Sequence, residues 1–160
     1  MRELPIVGVD PGGKHTGIVV RTPEGLHRWT LITRTSPLDW YLGEIVDAVT
    51  ETRDFARNLI LLDNHTDFRL PTLAVEDLNP PAPQMGIISV RALLDTAQVI
   101  GAIAGRYVIT RIPPGGHGSA PNAAYPEALQ GPPTGKMRHV RSSWDIAGAA
   151  RTLIRQEAAR

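Results

Sequence analysis

The sequence predicts an α/β fold, a mixed β-sheet with helices packed on its faces. Three observations carry that expectation. Short Val/Ile-rich runs bounded by turn residues recur along the first third of the chain. Longer stretches with apolar residues at helical spacing follow them. Read in order, the elements run β-β-β-α-β-α-β-α, which fits a sheet covered by helices rather than a bundle or a sandwich. At 160 residues the chain suits one compact domain, 1–160, with a real core.

Residues 4–10 read as a buried strand that ends in a carboxylate, Asp10. Pro11, Gly12 and Gly13 turn the chain, and residues 16–22 form a second strand. A third, 26–32, follows the turn Thr22-Pro23-Glu24-Gly25 and is expected to run antiparallel. Ser36, Pro37 and Asp39 make a helix start, with Ser36 as cap and Pro37 in first position. Leu38, Leu42, Ile45, Val49 and Ala56 then carry that helix to about residue 61. Residues 72–78 form a fourth strand, also ending in acid, and the Pro-rich run after Asn79 cannot continue a sheet. Ser89 is expected to cap a helix through residue 106. Ala97, Gly101 and Gly105 form a small-residue stripe on it, suited to close packing on the sheet or to a helix–helix dimer contact. Residues 107–112 make a fifth strand, and 113–141 a long Pro/Gly-rich loop of the kind that is usually functional. Ser142, with Asp145 three residues on, then caps the last helix in the manner of a capping box.

Composition removes several classes of function. There is no cysteine, which excludes disulfide frameworks and zinc–thiolate sites. No apolar run approaches the roughly 20 residues of a membrane span. The chain enters its first strand within a few residues, without the pattern of a signal peptide, so a cytoplasmic protein is expected. The net charge of +1 hides an asymmetry: residues 101–160 hold eight Lys/Arg against three acids, and the first 100 residues are net acidic. Such a basic segment suits a polyanionic partner, although solvated helix faces give the same count.

Asp10, Glu76 and Asp145 stand where elements end or begin. Taken singly, each has a plainer reading: a turn residue, a solvated strand end and a capping-box acid. Brought together by a fold, three carboxylates cannot all stay ionised without cations, and hard oxygen donors suit Mg²⁺ or Mn²⁺.

Their setting resembles the RuvC-like Holliday junction resolvases of the ribonuclease H-like superfamily. Val7-Gly8-Val9-Asp10-Pro11-Gly12-Gly13-Lys14-His15-Thr16-Gly17 is similar to the first-strand signature, Leu73-Ala74-Val75-Glu76 to the second acidic strand, and Ser142-Ser143-Trp144-Asp145-Ile146-Ala147-Gly148-Ala149-Ala150 to the helix that supplies the last acid. The resemblance implies a ribonuclease H-like fold, with a five-stranded mixed sheet flanked by helices on both faces. It implies a homodimer that cuts four-way DNA junctions with two Mg²⁺ ions per site, Mn²⁺ substituting, and leaves 5′-phosphate and 3′-hydroxyl ends. It makes Asp10, Glu76 and Asp145 the catalytic metal ligands. Two departures stand out. Ser142 replaces the acid or histidine that the family places one helical turn before its last Asp. No aromatic wedge follows Glu76, where Met85 is the one apolar substitute.

Lys136, Arg138, His139 and Arg141 precede the Asp145 helix, and Lys14 lies in the turn beside Asp10. These are the candidate phosphate contacts, which position nucleic acid without reading its sequence; a solvated loop is the plainer reading of the four. Two other functions fit the same residues: a ribonuclease H-like nuclease of RNA or flap substrates, and a branched-nucleic-acid-binding module without catalysis.

Overall fold

Strand β1 (Ile6–Asp10) lies at the centre of the sheet, and all five of its residues are buried. On one side β2 (His15–Thr22) pairs with it antiparallel, and β3 (Gly25–Thr33) pairs antiparallel with β2. On the other side β4 (Thr72–Glu76) and β5 (Thr110–Ile112) run parallel. The order is β3-β2-β1-β4-β5 in this computed structural model, which describes residues 3–79 and 86–160. The expected mixed five-stranded sheet is therefore present.

Alternation along the strands divides the core in two. Val7, Val9, Ile18, Val20, Leu73 and Val75 face helices α1 (Leu38–Asp63) and α2 (Ile87–Ala104), against Tyr41, Ile45, Val49, Val99 and Ile103. Ile6, Val19, Ala74 and Ile112 face the opposite way, onto Val140, Ile146, Ala147 and Ala150 of helix α3 (Met137–Ala158). The loop between β5 and α3 adds Tyr125 and Leu129, from two short 3₁₀ turns and their flank, to this second core.

Helix α3 packs directly on the sheet backbone at two glycines, one on β1 and one on β2. A Cβ on Gly8 would collide with the Ser143 carbonyl oxygen and with Ala147. A Cβ on Gly17 would collide with the His139 carbonyl and the Ser143 hydroxyl. At its far end α3 is tied to β2 by Arg151, which donates to the carbonyls of Thr22 at 3.0 Å and Arg21 at 3.1 Å.

Several boundaries differ from the sequence reading. Helix α3 begins at Met137, five residues before Ser142, so Ser142 is not its cap and the loop ends near residue 136. Val140 and Arg141 are buried, and placing them inside outweighs the local capping signal of Ser142. Helix α1 starts after Pro37, whose carbonyl takes the first helical bond from Tyr41, and the Ser36 hydroxyl caps nothing. Helix α2 starts at Ile87 behind Gly86, leaving Ser89 inside it. Tyr107 closes the end of α2 by donating to the Ile103 carbonyl, which shortens the fifth strand to three residues. Gly101 faces open space rather than the sheet. Met85 and the Pro80–Pro83 run lie outside the described residues. Among the described residues no helix is long and apolar enough to cross a membrane.

The close approach at Gly8 gives a direct test. Gly8→Ala is expected to cost about 1–3 kcal/mol, or more, because a backbone carbonyl rather than a flexible side chain must yield. Urea unfolding measures it; an alanine variant as stable as the parent would contradict the contact.

Candidate active site

The site forms where β1 and β4 end side by side. Val9 pairs with Val75 across the parallel ladder, so Asp10 and Glu76 are the next residues on neighbouring strands. Since Val9 and Val75 point to the α1–α2 core, alternation turns Asp10 and Glu76 toward α3. His139 meets them there: its Nδ1–H donates to Asp10 Oδ2 at 2.9 Å. Ser143, one turn along, accepts from the Asp10 amide at 3.1 Å and donates to the His139 carbonyl at 2.8 Å. The same serine thus fixes both the strand end and the helix turn that carries His139.

The turn after Asp10 is held rigidly. The buried Tyr41 hydroxyl reaches the Gly12 carbonyl at 2.8 Å and Thr16 Oγ1 at 2.9 Å. The Gly12 amide donates to Thr16 Oγ1 at 3.3 Å. Burial raises the Tyr41 pKa, so the phenol stays protonated as a donor. His15, at the start of β2, bonds Thr33 Oγ1 through Nδ1 at 3.1 Å, and its ring lies 5.4 Å from that of His139. Burial, then the charges of His139, Lys14 and Lys136, lower the His15 pKa.

Glu76 is held in tension. Burial pushes its pKa up and the charge of Asp10 pushes it further; His117 and the Gly115 amide oppose both. His117 Nε2 lies 3.8 Å from Glu76 Oε1. Both groups come from the glycine-rich loop after β5. Gly116 (φ +64°) and Gly118 (φ +79°) take the left-handed backbone conformation that favours glycine.

The residues singled out from sequence separate into distinct places. Asp10 and Glu76 come together. Asp145 does not join them through any described contact. It lies six residues past His139, about 9 Å farther along the helix, and its Oδ2 accepts from the Gly118 amide at 2.7 Å and the Tyr125 hydroxyl at 2.8 Å. Ser142 is buried beside Gly118. Arg141 cannot grip a phosphate: it is 2% exposed, and its guanidinium donates to the carbonyls of Leu129 and Pro132 at 3.1 and 2.9 Å. The hydrophobic register of α3 turns it inward. Lys14, Lys136 and Arg138 remain exposed, as phosphate contacts require. His139, expected at the rim, stands against Asp10 itself. The sequence marks residues 115–119 only as a glycine-rich loop able to approach a backbone closely, without the spacing of a phosphate loop, and gives His117 no role of its own.

Two carboxylates held together at a strand end fit a hard divalent cation by the chemistry of their oxygens. His139 is the nearest further donor. Among the described residues no three His, Asp or Glu side chains are already set around one ion position. Asp10 and Glu76 are thus the residues to hold such an ion.

No protein-family profile and no curated protein sequence matches the chain. Solved structures do. RuvC from T. thermophilus in complex with a Holliday junction substrate superposes with a TM-score of 0.63 and 16% identity, over 96% of both chains. A second Thermus thermophilus RuvC structure gives a TM-score of 0.55 and 19% identity, over 96% of this chain and 97% of the other. The sheet order, the helices on both faces and this superposition agree: the chain has the ribonuclease H-like fold of RuvC.

Proposed function

We propose that this chain is a divalent-cation-dependent endonuclease that cuts branched DNA, four-way junctions included. The observation that carries the reading is the Asp10–Glu76 pair: two acids placed side by side, with burial and the charge of Asp10 working against the charge of Glu76. A fold does not keep such a pair for its own stability, and cation binding is what resolves it. That the RuvC structure sharing this fold is bound to a Holliday junction supports the choice of substrate.

Bound at Asp10 and Glu76, Mg²⁺ or Mn²⁺, as two ions, would supply Lewis-acid stabilisation of an in-line phosphodiester displacement. The chain's own groups do the rest. Asp10 and Glu76 present oxygens from a rigid sheet. Ser143 and His139 fix the orientation of Asp10. An open cleft of about 650 Å³ runs from His139 past His15 and Lys14 to Arg34. Lys14 lines that cleft and stands exposed for the phosphates of a strand laid there, the exposed Lys136 acts on His15 at its wall, and the exposed Arg138 lines a separate opening beside Gly118. The expected products carry a 5′ phosphate and a 3′ hydroxyl. A homodimer would place two sites on opposed strands and give paired nicks.

A second reading, a junction-binding module without catalysis, draws on one observation: Asp145 Oδ2 is occupied by Gly118 and Tyr125. One experiment separates the two. The full chain is incubated with a four-way junction, a plain duplex, a flap and an RNA–DNA hybrid, each with Mg²⁺ and with Mn²⁺. The nuclease reading expects junction cleavage in both metals and, in Asp10→Asn, a loss of about a thousandfold with junction binding retained. Binding without cutting in either metal would leave the module; preferential cutting of the hybrid would move the substrate to RNA.

Glu76 makes a further prediction. Its folded-state pKa lies above the unfolded value, so folding takes up a proton between the two, and stability falls as pH rises through the folded-state pKa. Glu76→Gln removes that loss. In EDTA at pH 7–8 the variant is expected to melt a few degrees higher than the parent while losing cleavage, and the gain is expected to vanish in acid. A variant that melts lower at pH 8 would contradict the repulsion between the two acids.

A further inference from the structure

Asp145 is the most tightly engaged carboxylate near the site. One of its oxygens takes the Gly118 amide and the Tyr125 hydroxyl together. The Tyr125 oxygen in turn accepts the Ala120 amide at 3.1 Å. Gly118 is pressed so close to α3 that a Cβ there would lie 2.8 Å from the Arg138 carbonyl and 3.0 Å from the Ser142 amide nitrogen. Each contact points the same way, fastening the loop onto the flank of the helix. What the fastened loop delivers is His117, one residue before Gly118. His117 is 15% exposed, with Nε2 against Glu76 and within 3.2 Å of the Pro113 carbonyl. The Gly115 amide acts on the same glutamate, lowering its pKa.

We infer that Asp145 is a positioning residue rather than a metal ligand: with Tyr125 it clasps residues 113–125 so that His117 stands at the Asp10–Glu76 site and contacts the phosphate of the strand being cut. This rests on the nuclease reading for its last step, and on geometry alone for the clasp. A carboxylate suits the task because it accepts two donors on one oxygen, and charge strengthens both bonds. An asparagine side-chain carbonyl presents the same acceptor without the charge. At a metal ligand the same exchange removes the negative charge that holds the cation, and affinity falls.

Four variants of the full chain test it: Asp145→Asn, Asp145→Ala, Tyr125→Phe and His117→Ala. Three quantities are read from each: amide hydrogen exchange over residues 113–125, Mn²⁺ affinity, and single-turnover junction cleavage. Asp145→Ala is expected to speed exchange in the loop, to slow cleavage about tenfold, and to leave Mn²⁺ affinity within about threefold, since Asp145 bonds Gly118 and Tyr125 and neither Asp10 nor Glu76. Asp145→Asn restores slow exchange and most of the cleavage. Tyr125→Phe, the milder change, speeds exchange less than Asp145→Ala. His117→Ala slows cleavage about a hundredfold, the scale of a positioned histidine at a reacting group, while exchange over residues 118–125, which Asp145 clasps, stays slow.

If Asp145→Asn loses Mn²⁺ binding and cleavage as Asp10→Asn does, Asp145 is a ligand and the inference is overturned. Loop exchange unchanged in Asp145→Ala removes the clasp. Cleavage unchanged in His117→Ala removes the role of the histidine. A parent chain that cuts nothing defeats the nuclease reading and the last step of this inference with it, while exchange and Mn²⁺ affinity still decide the clasp.

Discussion

The distance between α3 and the sheet governs the rest of the site. The helix can deliver His139 and Ser143 to the end of β1 because Gly8 and Gly17 leave no side chain in the way. Ser143 converts that proximity into hydrogen bonds to Asp10 and to the helix itself. With a methyl group at either glycine, the helix would have to move by the width of a side-chain contact, and His139 would leave Asp10. Backbone packing and site chemistry are in this sense one constraint. The glycines act by being small; neither takes a left-handed conformation.

Around that contact the molecule concentrates unfavourable electrostatics in a small region. Two acids end neighbouring strands, and burial raises the pKa of one of them. Two histidine rings lie within 5.4 Å, with the charges of Lys14 and Lys136 acting on His15. Elsewhere charges are paired conventionally, as where Arg34 meets Asp95 at 3.0 Å and Arg111 meets Asp77 at 2.8 Å. The contrast is physical grounds for placing function at the β1–β4 end of the sheet, independent of any likeness to other proteins.

The loop after β5 has little regular structure, yet its path is fixed at many points. Asp145 holds it at Gly118 and Tyr125, and Arg141 holds it at Leu129 and Pro132. The sequence makes both of them candidate site residues, one a ligand and the other a phosphate contact. In the structure both make their hydrogen bonds to the loop. Arg141 spends its donors on carbonyls that have no strand or helix partner, which allows an arginine to be buried there. A charged residue near a functional motif is as readily support for the motif as part of it.

The sequence by itself determined the sheet, its two cores and the two acids that end β1 and β4. Strand alternation is local, so the apolar run before Asp10 and the one before Glu76 fix which way each carboxylate faces once the strands pair. Cap signals proved weaker: Ser36, Ser89 and Ser142 all sit where a cap is plausible, none of them caps its helix, and at α3 the burial of Val140 and Arg141 goes with an earlier start. Only the tertiary structure decided what stands opposite the acids. Periodicity gives a helix its inward face but not its axial position. Whether Asp145 or His139 lies over the strand ends depends on how far α3 slides along the sheet. The glycines of β1 and β2 set that offset, and they are more than 100 residues away in the chain.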